Sequence, residues 1–301
     1  MFKRKSKEEK FKDVQATSNL TVIAREFAQD KFALGALIAL STLIVVIFGG
    51  SLFLNTSKVM EVSIMDQYNV PGTPGFLLGA DQSGRSVLSE LILGARNSLV
   101  IGFAVTVLME VIGIIYGTVA GYYGGRVDNL MMRFLDFMLT LPTLMIIIVI
   151  VTIIPHYSMW TFILVMGAFY WVGTARLIRS KALSEAKKDY ISASKTSGSS
   201  DLKIMFKELL PNLSSIIIVD SVLSLAGNIG IEVGLTFLGF GLPDNVPSLG
   251  TLIGYATDPD TLTGRPWVWV PASLLILVIC VGISYIGNVL RRTADARQRL
   301  G

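Results

Sequence analysis

Cysteine and histidine are almost absent: Cys280 and His156 are each the only residue of their type in 301. One cysteine excludes an intramolecular disulfide and a zinc knuckle, and one histidine excludes a paired-histidine metal site. Charge is scarce as well, at 16% of residues against about 25% in an ordinary soluble domain. No G-x-x-x-x-G-K-[ST] occurs, so the chain has no Walker A loop of its own for ATP phosphates. G-x-S-x-G, H-E-x-x-H and C-x-x-C are missing too, which leaves an enzyme reading without a nucleophile or a metal site. Internal repeats and low-complexity tracts are not evident. The net charge of +4 is too small to point to nucleic acid. What fills the chain is apolar side chain, 52% of residues at a mean hydropathy of +0.61, and that makes it a membrane protein.

Residues 1–31 are polar and charged, and 32–54 is an uncharged run long enough to cross about 30 Å of hydrocarbon. No small-residue cleavage pattern follows it, so it reads as an uncleaved first span. Five more spans meet the same criterion, at 98–121, 134–154, 160–178, 213–238 and 267–290. Six crossings put both termini on one side. With the termini inside, the outer segments hold only Lys58, Arg85, Arg96 and Arg265; 26 basic residues less those 4 leaves 22 on the inner side. Both termini are therefore expected in the cytoplasm. Trp160, Trp267 and Trp269 fall at outer ends, where amphipathic rings favour the headgroup level; Trp171 fits that belt less well.

Between the spans the chain divides into an extracytoplasmic segment at 55–97, a five-helix core at 98–290 and a cytoplasmic tail at 291–301. Residues 86–93 are expected to form a short amphipathic helix within the outer segment. A second outer loop, 239–266, is rich in Gly and Pro and reads as folded. Tyr122 to Gly125 reads as a tight inner turn, and Pro142 as a kink in the third span.

One polar stretch interrupts this pattern. Across 180–211, Leu183, Ala186, Tyr190 and Ala193 recur at helical spacing, and so do Leu202, Met205 and Leu209. Gly198 between them suits a helix stop, Ser199, Ser200 or Asp201 a cap, and Pro211 the first turn of a further helix. The expected shape is a helical elbow; the competing reading is a solvated loop with incidental helicity.

Ionisable residues inside spans are costly unless they face a wet cavity or a partner. Glu110, Asp136, Asp220 and Glu232 qualify. Asp136 follows Arg133 by three residues and is expected to pair with it along the helix. Glu110 and Asp220 either line a pathway or pair inside the bundle. His156 reads as a surface turn residue, and Cys280 as a packing residue within a span.

The order Tyr190, Ala193, Gly198, Asp201, Leu210, Pro211, Asn212 resembles the cytoplasmic EAA motif of ABC importer permeases. That motif is Glu-Ala-Ala, three residues, Gly, and Leu-Pro about a dozen residues later. Here the first three positions read Ser192, Ala193, Ser194. The stretch from Glu232 to Gly241 is similar to Glu-Ala-Ser-Leu-Ser-Phe-Leu-Gly-Leu-Gly of peptide-importer permeases. Leu78 to Leu88 is similar to their Leu-Gly-Thr-Asp-x-x-Gly-Arg-Asp-Val-Leu, with Ala80 and Ser86 as departures. With Ala95 to Leu99 and Ala120 to Gly125, the likeness covers roughly 75–250.

The resemblance to the oligopeptide/dipeptide class implies an all-α, six-span permease of the type I importer fold. It implies a homologous second permease as heterodimer partner, two cytoplasmic ATPase subunits that carry ATP and Mg, and an extracytoplasmic peptide-binding protein. Leu183, Asp189, Tyr190, Ser192, Ala193, Gly198, Asp201, Leu210 and Pro211 are the implied ATPase-coupling residues, with Leu183, Tyr190 and Ala193 as the stripe presented to the ATPase. Glu110, Asp220 and Glu232 are candidates for the translocation pathway. Nickel importers share the permease pattern. A proton- or sodium-driven transporter, which would use the acidic residues and leave the elbow unexplained, is the rival from another class, and a membrane scaffold is a third.

Overall fold

The computed structural model describes residues 30–155, 157–243 and 245–298, with side chains to Thr293; His156 lies outside the described residues. Among them no strand forms, and helices account for almost all regular structure. Apart from a single turn at Thr56–Val59, the α-helices in chain order are α1 (Lys31–Ser51), α2 (Val87–Tyr123), α3 (Gly125–Thr140), α4 (Thr143–Ile153), α5 (Met159–Glu185), α6 (Asp189–Thr196), α7 (Asp201–Ile204), α8 (Leu210–Phe237), α9 (Leu249–Gly254), α10 (Pro259–Gly264) and α11 (Pro266–Gln298).

Five paths are long and apolar enough to cross a membrane: α1, α2, α5, α8 with the turns before it, and α11. The pair α3 and α4 makes a sixth if it counts as one broken span, bent by 73°. A contact between the two ends of the chain decides the count. Asp30 caps α1 by accepting from the Ala33 N–H at 3.0 Å, and the same carboxylate accepts from Tyr285 Oη at 3.3 Å and Arg292 Nη2 at 3.2 Å on α11. The start of α1 and the end of α11 therefore lie on one side. An even number of crossings is required, so α3–α4 is a single broken span. The break is chemical: Leu141, before Pro142, is extended at φ −76°, ψ 135°, as a residue preceding proline prefers. Where a kink in a continuous helix was expected, the helix stops and restarts.

The second span is also longer than its apolar core. Val87–Tyr123 is one helix of 37 residues, about 55 Å at 1.5 Å per residue, so the expected separate helix at 86–93 is its first turns. Gly94, which could have ended a helix, serves close packing: a Cβ there would sit 2.8 Å from the Ser248 carbonyl carbon at the start of α9. The same device recurs where α5 runs along α2. At Gly113, Gly117 and Gly121 an added Cβ would meet Thr174 Cβ at 2.8 Å, Ala175 O at 2.5 Å and Ala182 Cβ at 2.6 Å. Glycine every four residues brings the two backbones into contact, which substitutes for hydrophobic driving force within lipid.

On the side of α2's N-terminus, 55–86 folds back on itself. Asp81 Oδ1 accepts from the backbone N–H of Ser83 at 2.8 Å and Arg85 at 2.7 Å. Gly84 at φ +77° closes the turn against Ser63. Trp267 Nε1 donates to Ala80 O at 3.4 Å, and the Arg265 guanidinium lies 3.6 Å from the centre of the Tyr68 ring, so this segment is fastened to the start of α11. Trp171, the misfit of the aromatic belt, is a core residue, its ring 4.9 Å from that of Tyr116.

Candidate coupling and translocation site

The elbow is built on one apolar cluster. Ile191 of α6, Ile204, Met205 and Leu209 of the next segment, and Leu213 of α8 close over Tyr122 of α2 and Ile178 and Ala182 of α5. Ile191, Ile204 and Leu209 are fully buried. Polar contacts fix its orientation: Tyr122 Oη donates to Asp201 Oδ1 at 2.6 Å, and Lys195 Nζ lies 4.3 Å from the centre of the same ring. Tyr190 Oη donates to Glu185 Oε1 at 2.9 Å and accepts from Asn212 Nδ2 at 3.0 Å. Burial and the Glu185 carboxylate push the Tyr190 phenol up to about 12, so it stays a donor at any physiological pH. The ion pair of half-buried Arg179 with buried Asp128 ties α5 to α3 beside the elbow.

Two expectations change here. Pro211 falls in the first turn of α8 as expected, but the stretch from Asp201 to Phe237 is one helical path, so no break separates α8 from the elbow. Residues Met205–Leu209 form a π-turn in which the Leu210 N–H bonds to Met205 O. A proline has no N–H and crowds the carbonyl four residues back, and the wider turn absorbs both defects. Secondly, the stripe of Leu183, Tyr190 and Ala193 is divided in exposure. Leu183 and Tyr190 are half-buried against the bundle, while Ser192 and Ala193 are exposed. Leu202, which shares helical spacing with the buried Met205 and Leu209, is 65% exposed, and Phe206 one turn on is 54% exposed. Gly198 adopts φ +80° as the bend requires, with open space around it. Asp189 opens α6, with Ser192 one turn on, and Leu210 is half-buried behind Pro211.

The three acidic candidates separate into two places. Glu232 is fully buried and structural: its Oε1 accepts from Thr236 at 3.0 Å and from Ser248 at 2.8 Å, holding the 239–266 loop to α8. Ser98 of α2 joins through Ser248 at 3.4 Å, and Asn97 Nδ2 donates to Pro247 O at 2.8 Å. Glu110 and Asp220 face each other across α2 and α8, near Ser221, with Thr174 of α5 donating to Asp220 Oδ2 at 2.8 Å. Asp136 pairs with Arg176 on α5 where Arg133 was expected, because the broken third span turns that face toward α5. Among the described residues no group of acidic, histidine or cysteine side chains has the geometry to hold a metal ion.

The family described as binding-protein-dependent transport system inner membrane component matches residues 113–299, from the glycine stripe through the elbow into α11. The chain belongs to this family. It is 51% identical over 276 residues to the oligopeptide transport system permease protein OppC of Lactococcus lactis subsp. cremoris, covering 92% of this chain and 94% of that one. It is 33% identical over 276 residues to the dipeptide transport system permease protein DppC of Bacillus subtilis, covering 91% and 85%. With OppC of Mycobacterium tuberculosis the identity is 31% over 285 residues, covering 94% and 96%. The chain is thus a multi-pass inner-membrane permease subunit of an ABC importer, and the type I importer fold expected from the motifs holds. Family membership implies coupling to ATPases.

Proposed function

We propose that this permease carries oligopeptides or dipeptides, as half of a pathway completed by a homologous second permease. The observation that carries the substrate class is end-to-end similarity: more than nine-tenths of this chain aligns at 51% identity with a relative named for oligopeptide transport. The elbow side is then cytoplasmic, with both termini on it. Partner ATPases bind and hydrolyse ATP with Mg, and an extracytoplasmic peptide-binding protein delivers substrate to the far side, where 55–86 and the 239–266 loop are folded and fastened.

The elbow gives the coupling a physical basis. Buried Ile191 and the Tyr122–Asp201 bond make it move with α2, α5 and α8 and not independently of them. Ser192, Ala193, Leu202 and Phe206 are exposed on it, as are Lys195, Lys203 and Lys207, and these side chains would meet a cleft on an ATPase. Leu183, Tyr190 and Gly198 shape that surface from behind, and Leu210 and Pro211 join it to α8.

The test is to purify the assembled importer through a tag on this chain and measure ATPase activity with binding protein and peptide. A second permease and two ATPases should co-purify, and peptide should stimulate hydrolysis. Phe206→Asp and Ala193→Arg should release the ATPases while leaving the two permeases together. A chain that emerges alone and moves substrate without ATP overturns this reading in favour of ion-coupled transport.

A further inference from the structure

Among the described residues, Glu110 is a buried carboxylate in the membrane region with both oxygens poorly partnered. It is 6% exposed, and its two carboxylate oxygens make no well-formed hydrogen bond, with Asp220 and Ser221 the groups within reach. It lies about 20 Å from the Tyr123 end of α2, near mid-membrane. The groups that act on it are Asp220 and Ser221 of α8, so a second carboxylate is its main neighbour. Two carboxylates this close at low dielectric repel strongly, and the arrangement is stable only if something positive or a proton intervenes.

The α8 face that carries Asp220 identifies the intervening group. Asp220 is half-exposed about 15 Å along α8, at a depth where a carboxylate facing lipid costs several kcal/mol. That face must meet water or protein. Gly227 and Gly234 follow Asp220 at seven-residue steps on the same face, and at both, as at Gly230, an added Cβ would meet nothing within 4 Å. The face is therefore smooth and uncovered within this chain. Its one charged feature opens onto the uncapped oxygens of Glu110.

We propose that Glu110 and Asp220 form a carboxylate subsite for the ammonium group of the peptide being carried, on an α8 face that lines the translocation path. The subsite rests on the peptide-importer reading above. A free peptide bears an ammonium at its N-terminus and at any lysine, and passage past mid-membrane strips that group of water. Two carboxylates, with Thr174 holding one by a hydrogen bond, replace the lost hydration at the point where it costs most. Nearby Ser221 is placed to supply a neutral contact beside them.

The experiment uses the complete importer with its binding protein in proteoliposomes. Three peptides of one sequence are compared: free N-terminus without lysine, N-acetylated without lysine, and N-acetylated with one lysine. Glu110→Gln and Asp220→Asn are each compared with wild type at saturating binding protein, so that maximal uptake is read and not delivery. Asparagine keeps an acceptor for Thr174, and co-purification of the second permease and the ATPases with each variant reports intact assembly. Dividing each variant's loss on a cationic peptide by its loss on the uncharged one cancels the binding protein's own preference. Removing a charge-assisted contact should make this ratio about tenfold or more. A ratio confined to the first peptide assigns the N-terminal ammonium, and one shared with the third assigns any ammonium. A ratio near one for all peptides overturns the subsite and leaves a shared proton between the carboxyls. Should Glu110→Gln fail to assemble, Asp220→Asn decides alone. Wild type that imports none of the three refutes the peptide reading itself, a result distinct from a flat ratio.

Discussion

Substituting Gly117 by alanine tests whether α2 and α5 are held in backbone contact. The new Cβ would lie 2.5 Å from Ala175 O, 2.8 Å from Arg179 N and 2.9 Å from Ile178 Cβ. Two of these are backbone atoms, so no rotamer change relieves them. Restoring a contact of 3.4 Å requires the helices to separate by about 0.9 Å locally, and Gly113 and Gly121 on the same stripe lose contact as well. Overpacking of this kind costs about 1–3 kcal/mol. Alanine recovers up to about 1 kcal/mol through its higher helix propensity. The expected net loss is about 1–2 kcal/mol, a fall in melting temperature of about 2–6 °C. Cys280 supplies the readout, because it is the only thiol and sits half-buried with Sγ toward Ala226 O at 3.7 Å. A maleimide dye reports its exposure as the detergent-solubilised chain is heated. Gly35→Ala in α1 is the control, with nothing within 4 Å of the added Cβ and the same propensity gain. If Gly117→Ala melts at or above both wild type and Gly35→Ala, the close-packing argument is wrong.

Arg179→Leu should cost about 3 kcal/mol by leaving the buried Asp128 carboxylate unpaired, and Arg179→Lys should recover part of that; the same melting assay reads both. Gly198→Val should reduce peptide-stimulated ATPase activity in the assembled importer. The site is open, so the penalty is backbone strain alone, about 1–2 kcal/mol at φ +80°, and Gly198→Asn should behave much closer to wild type. Burial raises the Asp81 carboxyl above its usual range, against the bonds from the Ser83 and Arg85 N–H groups. The folded state therefore binds this proton more tightly than the unfolded one. The stability it contributes is present below the unfolded value and lost as pH rises through the folded one. Asp81→Asn, which keeps the acceptor, should flatten the dependence of melting temperature on pH above the ordinary carboxylate range; an unaltered profile would count against this account.

Hydropathy locates spans well, since an uncharged run of twenty residues has few alternatives in water. It does not reveal where a helix outlasts its membrane segment. The first turns of α2 carry Glu90 and Arg96, which reads as an outer loop, yet they bury against α9 through Gly94. Nor does hydropathy distinguish a kink from a break, because Pro142 permits both and Leu141 decides only once it is extended. Periodicity found the elbow and its bend at Gly198. It grouped Leu202 on one stripe with Met205 and Leu209, which the structure separates, since Leu202 is exposed while the other two are buried.

The acidic residues show the deeper limit. Glu110, Asp220 and Glu232 carry the same sequence signal, a charge in an apolar run, and what separates them is distance in space. Glu232 finds hydroxyls from Thr236 and Ser248, the second 16 residues away across a loop, and becomes a structural anchor. Asp136 finds Arg176 forty residues on, and a local pair with Arg133 becomes unnecessary. Glu110 finds only another carboxylate and a serine on α8. A charge that a bundle satisfies internally is explained by folding. One left unsatisfied at mid-membrane, beside a half-exposed partner on a face lined by glycine, calls for a group from outside the chain. In an importer, the group that passes that point is the substrate.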